Sequence, residues 1–345
     1  MISKEDILDL SRSGLLRQIA EHKAKEKKAS GNLRAGNAGV VAMNQGKLKV
    51  FGGCHRLALL RMLGINLEAE EHVHRIFEEG RIDEERVYER WSRSPKLKQA
   101  GISIKREEEI PVTITINETG KLVTGRPDLV LMDDALDKPV LIAELKKKLT
   151  PNGFQNVVDK CKPDNAHLAQ AALYSYGLGE CYNDGKSVDA IILYSWPILS
   201  DSYSRYQYYT SKLAHSYLSP PKFKSKDPSK AKLGIMPGEK IFFLDWDEDG
   251  YLTYITEGLT SPVKTVITKS AIYNFYLMVS RMNEEKALYG RPTSASVGAG
   301  VEGGWSPCGF CVLNQICKDY EHDYNLWLDM VRAKATELEL WTIEQ

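Results

Sequence analysis

The stretch GRPDLVLMDDALDKPVLIAELKKK, residues 125–148, constrains this chain more than any other. Two apolar runs are separated by an acidic turn, which reads as a β-hairpin. The second run carries an acid and a base two residues apart, Glu144 and Lys146. Side chains at i and i+2 of a strand share a face, so these two project together while Ala143 and Leu145 face the other layer. In this hairpin Asp128 lies beside Glu144. Adjacent carboxylates repel each other unless a cation intervenes, and an all-oxygen donor set suits Mg²⁺ or Mn²⁺. A lysine there offsets negative charge or helps to place a water, and a site of this kind can hydrolyse phosphodiesters. The alternative is an Asp128 that caps a turn and a solvated edge strand.

Further strand-like runs are VTITI (112–116), LVTGRPDLVLM (122–132), PVLIAELK (139–146), VDAIILYSW (188–196), KIFFLDW (240–246) and YLTYIT (251–256). Helical spacing occurs at 165–178 and 265–287. The mixture predicts an α/β core on a mixed sheet flanked by helices. Upstream, 5–29 reads as one or two helices, 38–52 as a short hairpin and CHRLALLRMLG as a helix stopping at Gly64. Residues 68–95 read as a charged helical stretch broken near Gly80. The Pro- and Lys-rich run 219–240 and the Gly/Ser-rich run 290–305 read as loops.

Two other runs bear on the acidic pair. In AHLAQAALYSYG (166–177), Gln170 and Tyr174 lie four apart on one helical face and supply a phosphate or water contact and a positioning hydroxyl. In RIFEEGRIDEERVYERW (75–91), Glu84 is the choice for a further acidic metal contact, with Glu85 as an alternative.

The net charge is zero, so a nucleic-acid site would be a local basic patch; the N-terminal helix and the 219–240 run are candidates. The N-terminus lacks a signal-peptide layout, and no apolar run reaches membrane-span length, which predicts a cytoplasmic protein with no membrane partner. Six cysteines are then not expected to form structural disulfides. Cys308, Cys311 and Cys317 form C-x2-C-x5-C, which points to a metal centre. Zinc and a cubane cluster both want a fourth ligand, and Cys54 is the best candidate. Such a centre would clip the N-terminal helices to the C-terminal segment and close a loop covering most of the chain. Cys161 and Cys181 read as ordinary small side chains.

Asp128, Glu144-Leu145-Lys146 and Gln170-Ala-Ala-Leu-Tyr174, with one cysteine before them and three after, resemble RecB-like nucleases of the PD-(D/E)xK superfamily. The resemblance is to their iron–sulfur subgroup, which includes the AddB nuclease domain and CRISPR-associated RecB-like exonucleases. It implies a restriction-endonuclease-like core and a [4Fe–4S] cluster on Cys54, Cys308, Cys311 and Cys317, with zinc as the alternative occupant. It also implies Mg²⁺ or Mn²⁺ held by Asp128, Glu144 and the Leu145 carbonyl, with Lys146 as the catalytic lysine and Gln170 and Tyr174 in support; Glu84 remains the choice for a further acidic metal contact. The implied activity is exonucleolytic cleavage of DNA, on single strands or duplex ends, in recombination, repair or phage DNA metabolism, with recombination or CRISPR-adaptation proteins as open partners. A sequence- or structure-specific endonuclease on the same core and a non-catalytic DNA-binding or assembly module are the alternatives. One departure is that many relatives carry Gly-x3-His where this chain has Gly80 and Glu84; His72 and His74 lie nearby. The expected organisation is an N-terminal helical segment (1–67), a nuclease core (68–288) and a C-terminal cysteine segment (289–345).

Overall fold

The computed structural model describes residues 33–44, 47–65, 71–106, 109–148, 154, 157–158, 160–195, 239–289 and 311–344. The expected helix at 5–29, nearly all of the 219–240 run, the 290–305 run and Cys308 lie outside the described residues.

In chain order the elements are β1 (Leu33–Arg34), β2 (Gly39–Asn44), β3 (Lys47–Gly52), α1 (His55–Met62), α2 (Glu71–Ser92), α3 (Pro95–Gln99), β4 (Ile102–Arg106), β5 (Val112–Ile116), β6 (Lys121–Gly125), β7 (Leu129–Asp133) and β8 (Lys138–Lys147). They continue with α4 (Asn165–Tyr182), β9 (Asp189–Ser195), β10 (Glu239–Trp246), β11 (Tyr251–Ile255), β12 (Val263–Thr268), α5 (Lys269–Glu285), α6 (Asn314–Asp319) and α7 (Tyr324–Glu344). The main sheet has seven strands in the order β12-β11-β10-β9-β8-β7-β4. Its one parallel pair is β8–β9, joined through α4; the other neighbours are antiparallel. A small sheet, β1-β6-β5, and the β2–β3 hairpin complete the strands.

Residue alternation on the central strands splits the core into two layers. Ile142, Ala190, Ile192 and Tyr194 pack with α1, α4, α5 and α7 on one face. Ala143, Leu145, Ile191 and Leu193 pack with Val87, Tyr88 and Trp91 of α2 on the other. The large mixed sheet is therefore covered by helices on both faces, as the strand and helix runs predict. Leu33, Leu59, Phe275 and Trp327, from distant parts of the chain, share the first layer. Among the described residues no helix is long and apolar enough to cross a membrane.

Four features differ from the expectations. The run 122–132 is not one strand: β6 ends at Gly125 and β7 starts at Leu129, in different sheets. Pro127 lies in the break; it lacks an N–H to continue a ladder. Helix α2 is continuous through Gly80, because a single glycine costs a helix only about 1 kcal/mol and the packing of Val87 and Trp91 holds this one in place. Strand β4 was not expected. The run from 265 begins as strand β12 before turning helical at Thr268, whose hydroxyl accepts the Ala271 N–H at 3.0 Å and starts α5. Helix α1 does stop as expected, with Gly64 at φ +81°.

Candidate functional site

The break at Pro127 places Asp128 just ahead of β7. Leu129 pairs with Ala143, so Asp128 and Glu144 are the next residues outward on neighbouring strands. The Asp128 Oδ2 accepts the Leu145 backbone N–H at 2.6 Å and lies 3.8 Å from Lys146 Nζ. The Lys146 ammonium also donates to Glu144 Oε1. Both carboxylates therefore converge on one ammonium, on the face of β8 that meets α4.

Glu144 has no exposed surface. Its second oxygen, Oε2, is buried without a hydrogen-bond partner. Burial pushes this carboxyl up from 4.5 to about 8, the Asp128 charge adds to the rise, Lys146 opposes it, and Glu84 adds a smaller push. Lys146 titrates well above its ordinary range: burial alone would lower it, but Glu144 and Asp128 outweigh that. A buried polar atom left without a partner is costly, and carboxyl oxygens on adjacent strands are the donor type a hard divalent cation takes. The residues present fit Mg²⁺ or Mn²⁺.

Helix α4 lies over this pair. Gln170 Nε2 donates to the Tyr174 hydroxyl at 3.2 Å. Burial raises the Tyr174 phenol well above its usual value, and the nearby charges of Glu144 and Asp128 push the same way. The Tyr174 ring sits where a side chain on Gly125 would be: an added Cβ would meet its Cε1 at 2.6 Å and Ala35 Cβ at 2.3 Å. The glycine of GRPD is thus required by close approach.

Helix α2 carries the acidic candidates. Glu84 is half-buried and close enough for its charge to act on both Glu144 and Lys146. Glu85 is turned elsewhere, ion-paired to Arg106 at 2.5 Å on the exposed side, with the guanidinium 3.8 Å over the Tyr88 ring. The side chains of His72 and His74 lie outside the described residues. Asp83, which the sequence did not single out, accepts the Ser195 hydroxyl and ties α2 to the end of β9.

A second polar group adjoins the pair and also went unnoticed in the sequence. Lys148 Nζ binds Asp164 Oδ2 at 2.5 Å. The Asp164 N–H donates to the Tyr194 hydroxyl at 2.9 Å, and His167 Nδ1 lies 2.8 Å from the same hydroxyl. Two periodicities could have shown it. Glu144, Lys146 and Lys148 alternate on a strand, and His167, Gln170 and Tyr174 follow helical spacing.

The described cysteines lie in different surroundings. Cys54 immediately precedes α1. Two residues on, the buried Arg56 donates to the carbonyls of Cys317 at 3.1 Å, Tyr289 at 3.0 Å and Glu321 at 3.4 Å. Cys317 Sγ receives the Trp327 indole N–H at 3.4 Å, and Cys311 and Cys317 are both partly buried against the core. The segment bearing Cys54 is thus fastened to the segment bearing Cys317. By contrast, the Cys161 and Cys181 thiols contact backbone carbonyls of Val158 and Thr113.

No family model and no curated protein matches this sequence. Among the described residues no three His, Cys, Asp or Glu side chains gather closely enough to hold a metal by themselves. The acidic site is therefore a pair with Glu84 in electrostatic range.

Proposed function

We propose that this protein is a Mg²⁺- or Mn²⁺-dependent deoxyribonuclease that acts exonucleolytically on single-stranded DNA or DNA ends. The observation that carries the reading is the convergence of Asp128 and Glu144 on Lys146, with Glu144 Oε2 buried and unsatisfied. The seven-stranded mixed sheet with its β8–α4–β9 crossover supports a restriction-endonuclease-like core.

In this reading Asp128 and Glu144 hold the divalent ion, the Leu145 carbonyl is a further donor and Glu84 adds negative charge nearby. The bound ion supplies Lewis acidity toward the phosphodiester. Lys146 already carries its proton and stands beside both carboxylates, so it offsets the charge that develops on phosphate. Tyr174, locked by Gly125 and Gln170, fixes the helix face above the pair.

The same proposal assigns Cys54, Cys308, Cys311 and Cys317 to a structural [4Fe–4S] centre, with zinc as the alternative occupant. Soft thiolate donors suit either. The Arg56 bridge from the Cys54 segment to the Cys317 carbonyl supports the grouping.

The test is anaerobic purification, a visible absorption spectrum, and digestion of an end-labelled single strand with Mg²⁺ or Mn²⁺. The expected result is a brown protein that releases short products from ends, spares circular single strands, and loses cutting in Asp128→Ala and Glu144→Ala. Parent protein that binds DNA yet cuts with neither metal overturns the nuclease reading. Discrete fragments from circles would make it an endonuclease.

A further inference from the structure

The environment of Tyr194 fixes a proton on His167. Tyr194 has no exposed surface. Its hydroxyl oxygen meets two groups, the Asp164 N–H at 2.9 Å and His167 Nδ1 at 2.8 Å. A backbone N–H can only donate, so the phenol proton has Nδ1 as its acceptor. Asp164 Oδ2 lies 3.5 Å from Nδ1 and is already held by Lys148 at 2.5 Å. His167 Nδ1 therefore accepts, and the ring carries its hydrogen on Nε2. Burial pushes the His167 pKa well below its usual value, and Lys146 and Lys148 push it the same way, so the ring is a neutral donor at physiological pH.

The side chain keeps 24 % of its surface exposed. It stands one turn before Gln170 and two turns before Tyr174, on the helix face that overlies Glu144 and Lys146. A fixed, uncharged N–H in the field of two lysines is suited to an anionic oxygen. Resting on the nuclease reading above, we infer that His167 contacts substrate: its Nε2–H donates to a phosphodiester oxygen of the DNA strand entering the Asp128–Glu144–Lys146 site. Tyr194 acts through His167 as a positioning residue, because its hydroxyl selects the tautomer.

The contact carries no charge, which sets its signature. Loss of a neutral donor to phosphate lowers affinity about tenfold without changing the slope of log affinity against log salt. A lost cationic contact to a single strand would reduce that slope by about 0.7.

The test uses the full chain and a fluorescent single-stranded oligonucleotide, titrated without divalent metal at several salt concentrations. Nuclease assays with Mg²⁺ and ¹⁵N NMR of the histidines accompany it. His167→Ala is expected to bind about tenfold more weakly with an unchanged salt slope, and His167→Gln, which keeps an N–H near Nε2, to recover much of the loss. The parent spectrum is expected to show His167 protonated at Nε2, and Tyr194→Phe to lose that fixed tautomer and weaken binding without removing the ring from the core. If the parent cuts DNA but His167→Ala binds as well as the parent, or loses salt slope, the His167 contact is overturned and the nuclease reading stands. A spectrum with Nδ1 protonated also overturns it. If the parent neither binds nor cuts while Nε2 is protonated, the nuclease reading fails and takes the substrate contact with it.

Discussion

Glu144 and Lys146, two residues apart on one strand, are joined by a hydrogen bond from the ammonium to Oε1, and the second carboxyl oxygen of Glu144 is buried without a partner. The ammonium is shared with Asp128. The arrangement stays short of one bonding partner, and the predictions for the acidic site follow from that shortfall.

Metal binding should take up the missing interaction and displace a proton. In the metal-free protein the folded state holds the Glu144 proton up to about pH 8, whereas a free glutamate releases it near 4.5. Between those values the folded state binds more protons than the unfolded state, so this group's contribution to stability falls as pH rises from 4.5 toward 8. Bound metal needs the carboxylate, so Mg²⁺ or Mn²⁺ affinity rises with pH across 6–8, by up to about tenfold per pH unit for one proton displaced. Titration calorimetry in two buffers of different ionisation enthalpy reads the proton released. Affinity flat with pH counts against Glu144 as a ligand.

Glu144→Gln keeps the shape and removes the carboxyl that can ionise to bind metal. The melting temperature at pH 7 should hold within a few degrees of the parent. Metal-dependent cutting should fall by roughly two to three orders of magnitude, the scale of losing a main electrostatic contributor. Thermal melting and a nuclease assay on the same preparation separate the two effects.

Glu84 and Glu85 should behave oppositely although they are adjacent. Glu85→Ala loses an exposed pair with Arg106, a change of about 1 kcal/mol or less, and leaves cutting intact. Glu84→Ala removes charge that reaches Glu144 and Lys146, so the metal concentration needed for half-maximal cutting rises. Equal effects of the two substitutions on cutting would exclude Glu84 from the site.

Gly125→Ala should destabilise by about 1–3 kcal/mol, the range for overpacking, because the new Cβ meets Tyr174 and Ala35. Displaced Tyr174 should also lower cutting. Urea unfolding gives the first quantity and a rate measurement on folded protein the second.

Arg56→Met should cost about 1–3 kcal/mol, since the buried side chain no longer donates to the carbonyls of Cys317, Tyr289 and Glu321. The C-terminal segment should become sensitive to protease before the sheet does. Limited proteolysis followed by mass spectrometry locates the first cut.

Period-2 alternation in 139–146 was enough, by itself, to place Glu144 and Lys146 on one face and Ala143 and Leu145 on the other, because a strand leaves its side chains no other choice. The same holds for the shared face of Gln170 and Tyr174, which helical geometry dictates. The acidic hairpin was legible because its two strands are neighbours in sequence as well as in space. Choosing between Glu84 and Glu85 required the fold: both lie on one charged helix, and the packing of Val87 and Trp91, the tie from Asp83 to Ser195 and the pull of Arg106 on Glu85 set its rotation. The division of 122–132 between two sheets was equally hidden, since β-propensity reports that a run can be strand and not which partner it will pair with. Arg56 reading the Cys317 carbonyl, and Tyr194 setting the proton on His167, depend on contacts between residues far apart in the chain. Local sequence determines which groups share a face; only tertiary packing decides which distant group completes their hydrogen bonds, and that completion fixes charge, tautomer and site.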